Sequence, residues 1–169
     1  YRDKKVMLRK LNMVIGAFFS EIGTELMRLF ARLDLSSSEI ADKLIVNSEW
    51  PDKEFAMMQK IVNAHTPAIE YKISDVENLK NLLVGKRSFL LALLENPNLL
   101  EHESFTNLLW AIFHLAEELS HRKDLKALSD TDRQHLTGDM KRAYGIIVSE
   151  WLSYMNHLKN DYPYLFSLA

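Results

Sequence analysis

Cysteine is absent from the 169-residue sequence, which excludes disulfide bonds and any chemistry that needs a thiolate. Glycine and proline are scarce, at five and four residues, and this scarcity favours long helices joined by short connections. The sequence also lacks a glycine-rich phosphate loop, and Ser20, Ser48 and Ser88 lie in neither a nucleophile elbow nor a Ser-x-x-Lys pattern. These absences argue against nucleophilic catalysis and favour a protein that is not an enzyme.

Long apolar runs are missing as well. The segment from Leu11 to Phe19 is apolar except for Asn12, but Ser20 and Glu21 follow at once. A membrane-spanning helix needs about 18 or more apolar residues, so none is predicted within the sequence. Hydrophobic residues make up 47% and charged residues 26%, which is a globular balance, and the length suits one domain. We expect residues 1–169 to form a single helical domain.

Positive charge is concentrated at the start of the chain. The formal net charge is −2, yet residues 1–10 hold five basic residues and one acid, a local balance of +4. A nucleic-acid-binding protein usually spreads basic residues over a folded face, so we do not expect nucleic acid as a partner. Because the chain begins with Tyr1, we interpret it as a fragment whose segment 1–10 is juxtamembrane, since such a cluster is typical of the cytoplasmic end of a transmembrane helix. A solvated first helical turn gives the same pattern. The cluster consists of Arg2, Lys4, Lys5, Arg9 and Lys10.

Hydrophobic spacing predicts four long helices and two short ones. The long helices are expected over residues 4–33, 74–95, 103–121 and from about 129 to just before Pro163. The two short helices follow the first long one: the first starts at the capping pair Ser36 and Glu39 and ends at Ile45 or Val46, and the second lies between Pro51 and Thr66. Short connections favour antiparallel neighbours. We therefore expect an all-α fold with a four-helix-bundle-like core, in which the two short helices form an insertion after the first.

The segment Glu103–His121 is the expected centre of this bundle. Between Leu108 and Ala116 its only polar residue is His114. A helix that is apolar on nearly all sides must be surrounded by other elements. The other helices, and an aromatic tail after Pro163, are expected to pack around it.

The end of this central helix carries the one cluster with metal-binding character. Glu118 and His121 form a Glu-x-x-His pair, which is the spacing used in di-iron bundles. A di-iron bundle also needs a second such pair, and the sequence has none. The competing interpretation is a solvated helix end with His114 as a core histidine. We therefore expect no cofactor and keep a divalent metal ion, or a di-iron centre, as the alternative. The candidate ligands are His114, Glu117, Glu118 and His121, with Glu21 and Glu25 on the first helix.

A second alternative is nucleic-acid binding by a helix-turn-helix. Residues 35–44 have the pattern of the first helix of that motif, and the following helix starts with Pro51-Asp52-Lys53-Glu54. The N-terminus of the second helix normally contacts bases and phosphates, and two acids at that position would repel phosphate. A capped amphipathic helix explains the same residues.

A resemblance to a known family rests on four stretches: LNMVIGAFFSEIGTEL (Leu11–Leu26), LLWAIFHLAEEL (Leu108–Leu119), GDMKRAYGIIVSEWLSYMNHL (Gly138–Leu158) and DYPYLFSLA (Asp161–Ala169). They resemble a family of uncharacterised bacterial proteins in which a soluble helical part follows a transmembrane N-terminus. The resemblance covers most of the chain and carries no catalytic motif. It implies a helical domain at the cytoplasmic face of the inner membrane, attached through a segment outside this sequence. Such a domain would act as a regulatory module or through protein contacts, either with a partner or by self-association.

Overall fold

The computed structural model describes residues 2–47, 49–99 and 102–161. Within these ranges the chain is almost entirely helical, and its one extended pairing is an isolated bridge between Asp34 and Ile69. The predicted all-α fold is confirmed. The aromatic tail expected to pack on the bundle falls at residues 162–169, outside the described ranges.

The first long helix contains one π-helical turn. Helix α1 (Arg2–Phe18) continues through this turn (Phe19–Gly23) into α2 (Thr24–Leu33). A Cβ atom on Gly23 would come within 2.6 Å of Cδ1 of Phe19 and 2.8 Å of Cε2 of Phe18. Both aromatic rings are buried, so there is no space for a side chain at Gly23 in this turn.

The remaining helices follow with short connections. They are α3 (Ser37–Ala41), α4 (Asp52–Ala64), α5 (Ile73–Gly85), α6 (Arg87–Leu94), α7 (Glu103–His121) and α8 (Asp130–Asp161), with 3-10 turns at Asp42–Leu44 and Pro97–Leu99.

Two of these helices differ from the predicted bounds. The helix predicted over 74–95 is divided at Lys86 (φ −104°, ψ 9°), next to Gly85, a residue of low helix propensity. The first short helix covers five residues before its 3-10 turn. It is too short to serve as the first helix of a helix-turn-helix, so that hypothesis gains no support from the fold.

Helix α7 lies at the centre, as predicted, and packs against α5, α6 and α8. Its inward face is fully buried, but one strip faces outward: Trp110 is 58% exposed and the His114 side chain is 50% exposed. The prediction that His114 is a core histidine is therefore wrong. One side of α7 is left uncovered beside the α8 interface. The fully buried residues are Phe105, Leu108, Leu109, Ile112, Leu115 and Leu119.

A buried polar junction fastens the end of α2 to the chain before α5. Oδ1 of Asp34 accepts hydrogen bonds from the Ser36 amide (3.0 Å), the Ser36 hydroxyl (2.7 Å) and the Ala68 amide (2.9 Å). Burial acts to raise the pKa of Asp34, but these hydrogen bonds and the nearby His65 lower it below its ordinary value. Burial and the charge of Asp34 raise the pKa of Tyr144, on α8, to about 12. The junction thus holds a charged carboxylate beside a neutral phenol.

Candidate metal site between α7 and α8

Four side chains with metal-binding atoms converge where α7 packs against α8. His114 and Glu118 lie one turn apart on α7, and His135 and Asp139 lie one turn apart on α8. One ligand atom of each residue lies within 4.8 Å of the corresponding atom of every other. The two helices run antiparallel, so each histidine of one helix faces the carboxylate of the other.

The distances within this cluster fit a shared ion better than direct hydrogen bonds. Oδ2 of Asp139 lies 3.4 Å from Nε2 of both His114 and His135, and Oε1 of Glu118 lies 3.6 Å from Nε2 of His135 and 3.9 Å from Nε2 of His114. Good N–H···O hydrogen bonds are shorter, at about 2.7–3.2 Å. Ligands bound tetrahedrally at about 2.1 Å from an ion are separated from one another by roughly 3.4 Å. The four imidazole–carboxylate distances of 3.4–3.9 Å are thus close to the ligand spacing around one ion, and the remaining pairs of atoms lie within 4.8 Å.

Asp139 supplies the strongest indication that an ion belongs in the cluster. The residue is only 5% exposed, and its Oδ2 atom is buried without a hydrogen-bond partner among the described residues. Burying an unpaired polar atom costs about 1–3 kcal/mol, and more when the group is charged. A cation bound between the two helices would remove that cost. Protonated imidazoles at His114 and His135 would offset it only in part at 3.4 Å.

Two arginines orient the carboxylates from outside the cluster. Nη2 of Arg122 lies 3.0 Å from Oε2 of Glu118, and Nη2 of Arg142 lies 3.4 Å from Oδ1 of Asp139. Each carboxylate thus directs one oxygen at an arginine and the other at the imidazoles. Metal ligands are commonly held by such outer hydrogen bonds, which fix their orientation.

The donor set limits the kind of ion that fits. Two imidazole nitrogens and two carboxylate oxygens suit Zn²⁺, Fe²⁺ and Mn²⁺, whereas Mg²⁺ and Ca²⁺ prefer oxygen ligands alone. The imidazole side chains of His114 and His135 are 50% and 54% exposed, so the cluster opens to solvent on one side. A bound ion could hold water there and polarise it or another oxygen ligand.

The structure brings together two of the four predicted ligands. His114 and Glu118 belong to the cluster, whereas Glu117 and His121 lie outside it. Oε1 of Glu117 is 2.7 Å from Nε of Arg87 on α6, and Nδ1 of His121 is 2.6 Å from the backbone oxygen of Glu117.

The additional acids proposed on the first helix also point elsewhere. Glu21 pairs with Lys86 at 3.1 Å, and Glu25 pairs with Arg28. Neither carboxylate belongs to the group of four.

Sequence reasoning missed His135 and Asp139, although a signal was present. The two helices carry their ligands at the same spacing, His114-x-x-x-Glu118 on α7 and His135-x-x-x-Asp139 on α8. The di-iron motif has the acid first and the histidine three residues later. In the repeated pattern here the histidine comes first and the acid four residues later, so the two pairs do not match that motif.

The basic cluster at the start of the chain lies in the first half of α1. Lys4, Lys5, Arg9 and Lys10 are exposed, and two of them, Lys5 and Arg9, line a cavity of about 570 Å³ between α1 and α8. Among the helices of the described ranges, none has an apolar stretch sufficient to cross a lipid bilayer.

The fold and the cluster define an all-helical domain with a candidate site for a divalent ion. Residues 7–169 match the family model described as "Uncharacterized protein MJ1433, C-terminal helical domain", and the chain belongs to this family. The uncharacterised protein MJ1433 of Methanocaldococcus jannaschii is 46% identical over 169 residues, which are 100% of this chain and 68% of that protein. No solved structure matches the chain. An uncharacterised family with a helical domain is thus confirmed. Its bacterial origin gains no support, because this relative is archaeal.

Proposed function

We propose that this domain binds one divalent transition-metal ion through His114, Glu118, His135 and Asp139. The observation that carries the proposal is the convergence of four ligand atoms within 4.8 Å, one of them a buried carboxylate oxygen without a hydrogen bond among the described residues. Two carboxylates give the cluster a formal charge of −2 when the imidazoles are neutral. A divalent cation neutralises that charge and links α7 to α8.

The open side of the cluster decides what the ion can do. A purely structural zinc site is usually closed by four protein ligands, whereas a catalytic site keeps a position for water or substrate. The two half-exposed imidazoles leave solvent next to the ion. Ions such as Mn²⁺ and Fe²⁺, which take more than four ligands, would complete their coordination with oxygen atoms from solution.

Cobalt binding tests the proposal directly. Tetrahedral or five-coordinate Co²⁺ absorbs visible light, so a titration followed by absorbance and by calorimetry reports both stoichiometry and ligand field. We expect one Co²⁺ per chain in the wild type and loss of the visible band in His135→Ala and Asp139→Asn. Zn²⁺ should displace Co²⁺ from the wild type.

Two matched controls separate this site from the end of α7. His121→Ala and Glu117→Gln remove the neighbouring imidazole and carboxylate, which lie outside the cluster, and both variants should bind Co²⁺ as the wild type does. Equal Co²⁺ affinity in the wild type and in His135→Ala would refute the proposal. Loss of binding in His121→Ala alone would instead place an ion at the end of α7.

A second candidate function is protein contact through the start of α1. Four apolar side chains are exposed there, Val6 (46%), Met7 (40%), Leu8 (56%) and Met13 (75%), next to the basic cluster. Exposed apolar surface of this kind often marks an interaction site. Light scattering of the wild type and of Leu8→Glu/Met13→Glu would test self-association: a dimer that the double variant dissociates supports it, and a monomer at all concentrations contradicts it.

Attachment to the cytoplasmic face of an inner membrane remains a separate prediction for this end of the chain.

A further inference from the structure

The interface of α7 and α8 contains a second feature beyond the four ligands. A groove of about 450 Å³ runs along it to the end of α4. Pockets for small ligands commonly have volumes of about 300–1,000 Å³. The residues that matter here are Asn63 and His65 near the end of α4, Asn107 on α7, and Lys141, Arg142 and Ser149 on α8.

The groove and the metal cluster share one side of the α7–α8 pair. Asn107 precedes His114 by seven residues, and Ile146, which also lines the groove, follows Asp139 by seven residues. Residues seven apart in a helix lie on nearly the same face. Arg142 belongs to both features, because it lines the groove and contacts Oδ1 of Asp139.

Two cations give the groove its chemical character. Lys141 is exposed, and its ammonium group has no hydrogen bond or ion pair in the part of the chain that the structure describes. The Arg142 side chain is 62% exposed, and its contact with Asp139, at 3.4 Å, uses one of its five donors. The side-chain amides of Asn63 and Asn107 and the hydroxyls of Ser104 and Ser149 line the same walls. One acid, Glu150, also lines the groove, but it is 9% exposed.

We infer that this groove binds a small molecule through an oxyanion, either a phosphate or a carboxylate, and places it beside the metal ion. The placement of this ligand beside an ion rests on the proposed metal-binding function. Its negative charge does not, because that follows from Lys141 and Arg142. Guanidinium and ammonium groups bind both oxyanions through charge-assisted hydrogen bonds. Arg142 lies one turn of α8, roughly 5 Å, beyond Asp139, so an anion held by Arg142 lies close to the cluster.

Phosphorus-31 NMR of inorganic phosphate tests the anion site in protein freed of metal. Phosphate lines should broaden on addition of wild-type protein. We expect about tenfold weaker affinity in Lys141→Gln/Arg142→Gln, which is the loss of at least one hydrogen bond to a charged group. Lys53→Gln removes an exposed lysine on α4 outside the groove and should bind phosphate normally. Acetate, followed by carbon-13 relaxation, distinguishes a carboxylate ligand from a phosphate ligand.

Manganese then tests proximity. With Mn²⁺ bound at the cluster, the relaxation of groove-bound phosphate or acetate should increase strongly, because paramagnetic relaxation acts over short distances. His135→Ala should still bind phosphate but lose this enhancement. Arg142→Lys, which keeps the charge, should retain more binding than Arg142→Gln.

The outcomes separate the two proposals. Metal binding at the cluster, with neither phosphate nor acetate affected by Lys141→Gln/Arg142→Gln, would overturn the inference and leave the metal site intact. Anion binding that depends on these two residues in a protein that takes up no metal would refute the proposed function and support the anion groove alone. Anion binding without relaxation enhancement by bound Mn²⁺ would contradict the placement beside the ion.

Discussion

Asp139 and His114 face one another across the α7–α8 interface, with 3.4 Å between Oδ2 and Nε2. The two residues come from different helices and differ in environment, since Asp139 is buried and His114 is half-exposed. The carboxylate therefore cannot turn to solvent, whereas the imidazole can. A divalent ion would bind the buried oxygen, and the half-exposed imidazoles could turn to complete its coordination.

Metal binding should stabilise the fold. An ion that binds only the folded state adds about 4 kcal/mol at a free concentration roughly 1,000 times its Kd. We expect Zn²⁺ or Mn²⁺ to raise the melting temperature of the wild type and to leave that of His135→Ala unchanged. Because imidazoles must lose their protons to bind a metal, the stabilisation should fall as the pH is lowered. Thermal unfolding monitored by circular dichroism, with and without metal, measures the effect, and an equal shift in both proteins would contradict it.

Asp139→Asn should separate stability from metal binding. In metal-free protein at pH 8, the substitution removes a buried charge whose inner oxygen has no hydrogen bond within the described residues. We expect the free energy of unfolding to stay the same or to rise by about 1 kcal/mol, while Co²⁺ binding is lost. Urea denaturation of both proteins provides the comparison. A large loss of stability without metal would show that the imidazoles already compensate the carboxylate.

The central helix could be predicted from the sequence because its signal is local. Glu103–His121 was expected to be helical, and α7 has the same bounds. The uncovered strip with Trp110 and His114 could not be predicted, since it depends on which neighbours pack against α7. The same limit applies to the site: the pairing of His114 with Asp139 is set by the antiparallel register of α7 and α8, which no single helix encodes.

The two glycines of the first helix should respond differently to alanine. A Cβ atom on Gly23 would meet the buried rings of Phe18 and Phe19 at 2.8 and 2.6 Å, so Gly23→Ala should destabilise the protein by about 1–3 kcal/mol through overpacking. A Cβ atom on Gly16 would meet only the hydroxyl end of Tyr154, at 2.7 Å. In a Tyr154→Phe background, Gly16→Ala should therefore stabilise the protein by about 1 kcal/mol through helix propensity. Both effects can be measured by denaturant unfolding of the wild type, Gly16→Ala, Tyr154→Phe and the double variant, together with Gly23→Ala.

Tyr144 should resist ionisation until about pH 12. Burial and the neighbouring charge of Asp34 raise the pKa of Tyr144 from 10.0 to about 12 in the folded protein. Because the folded pKa is the higher one, this group's contribution to stability is fully present below pH 10 and is lost as the pH rises from about 10 toward 12. Absorbance at the tyrosinate band, in the wild type minus Tyr144→Phe, isolates this single phenol. In an Asp34→Asn background, the corresponding difference with and without Tyr144→Phe should show a lower pKa for Tyr144, because the repelling charge of Asp34 is gone. If that variant stays folded and its midpoint equals that of the wild type, burial alone sets the pKa and Asp34 has no part in it.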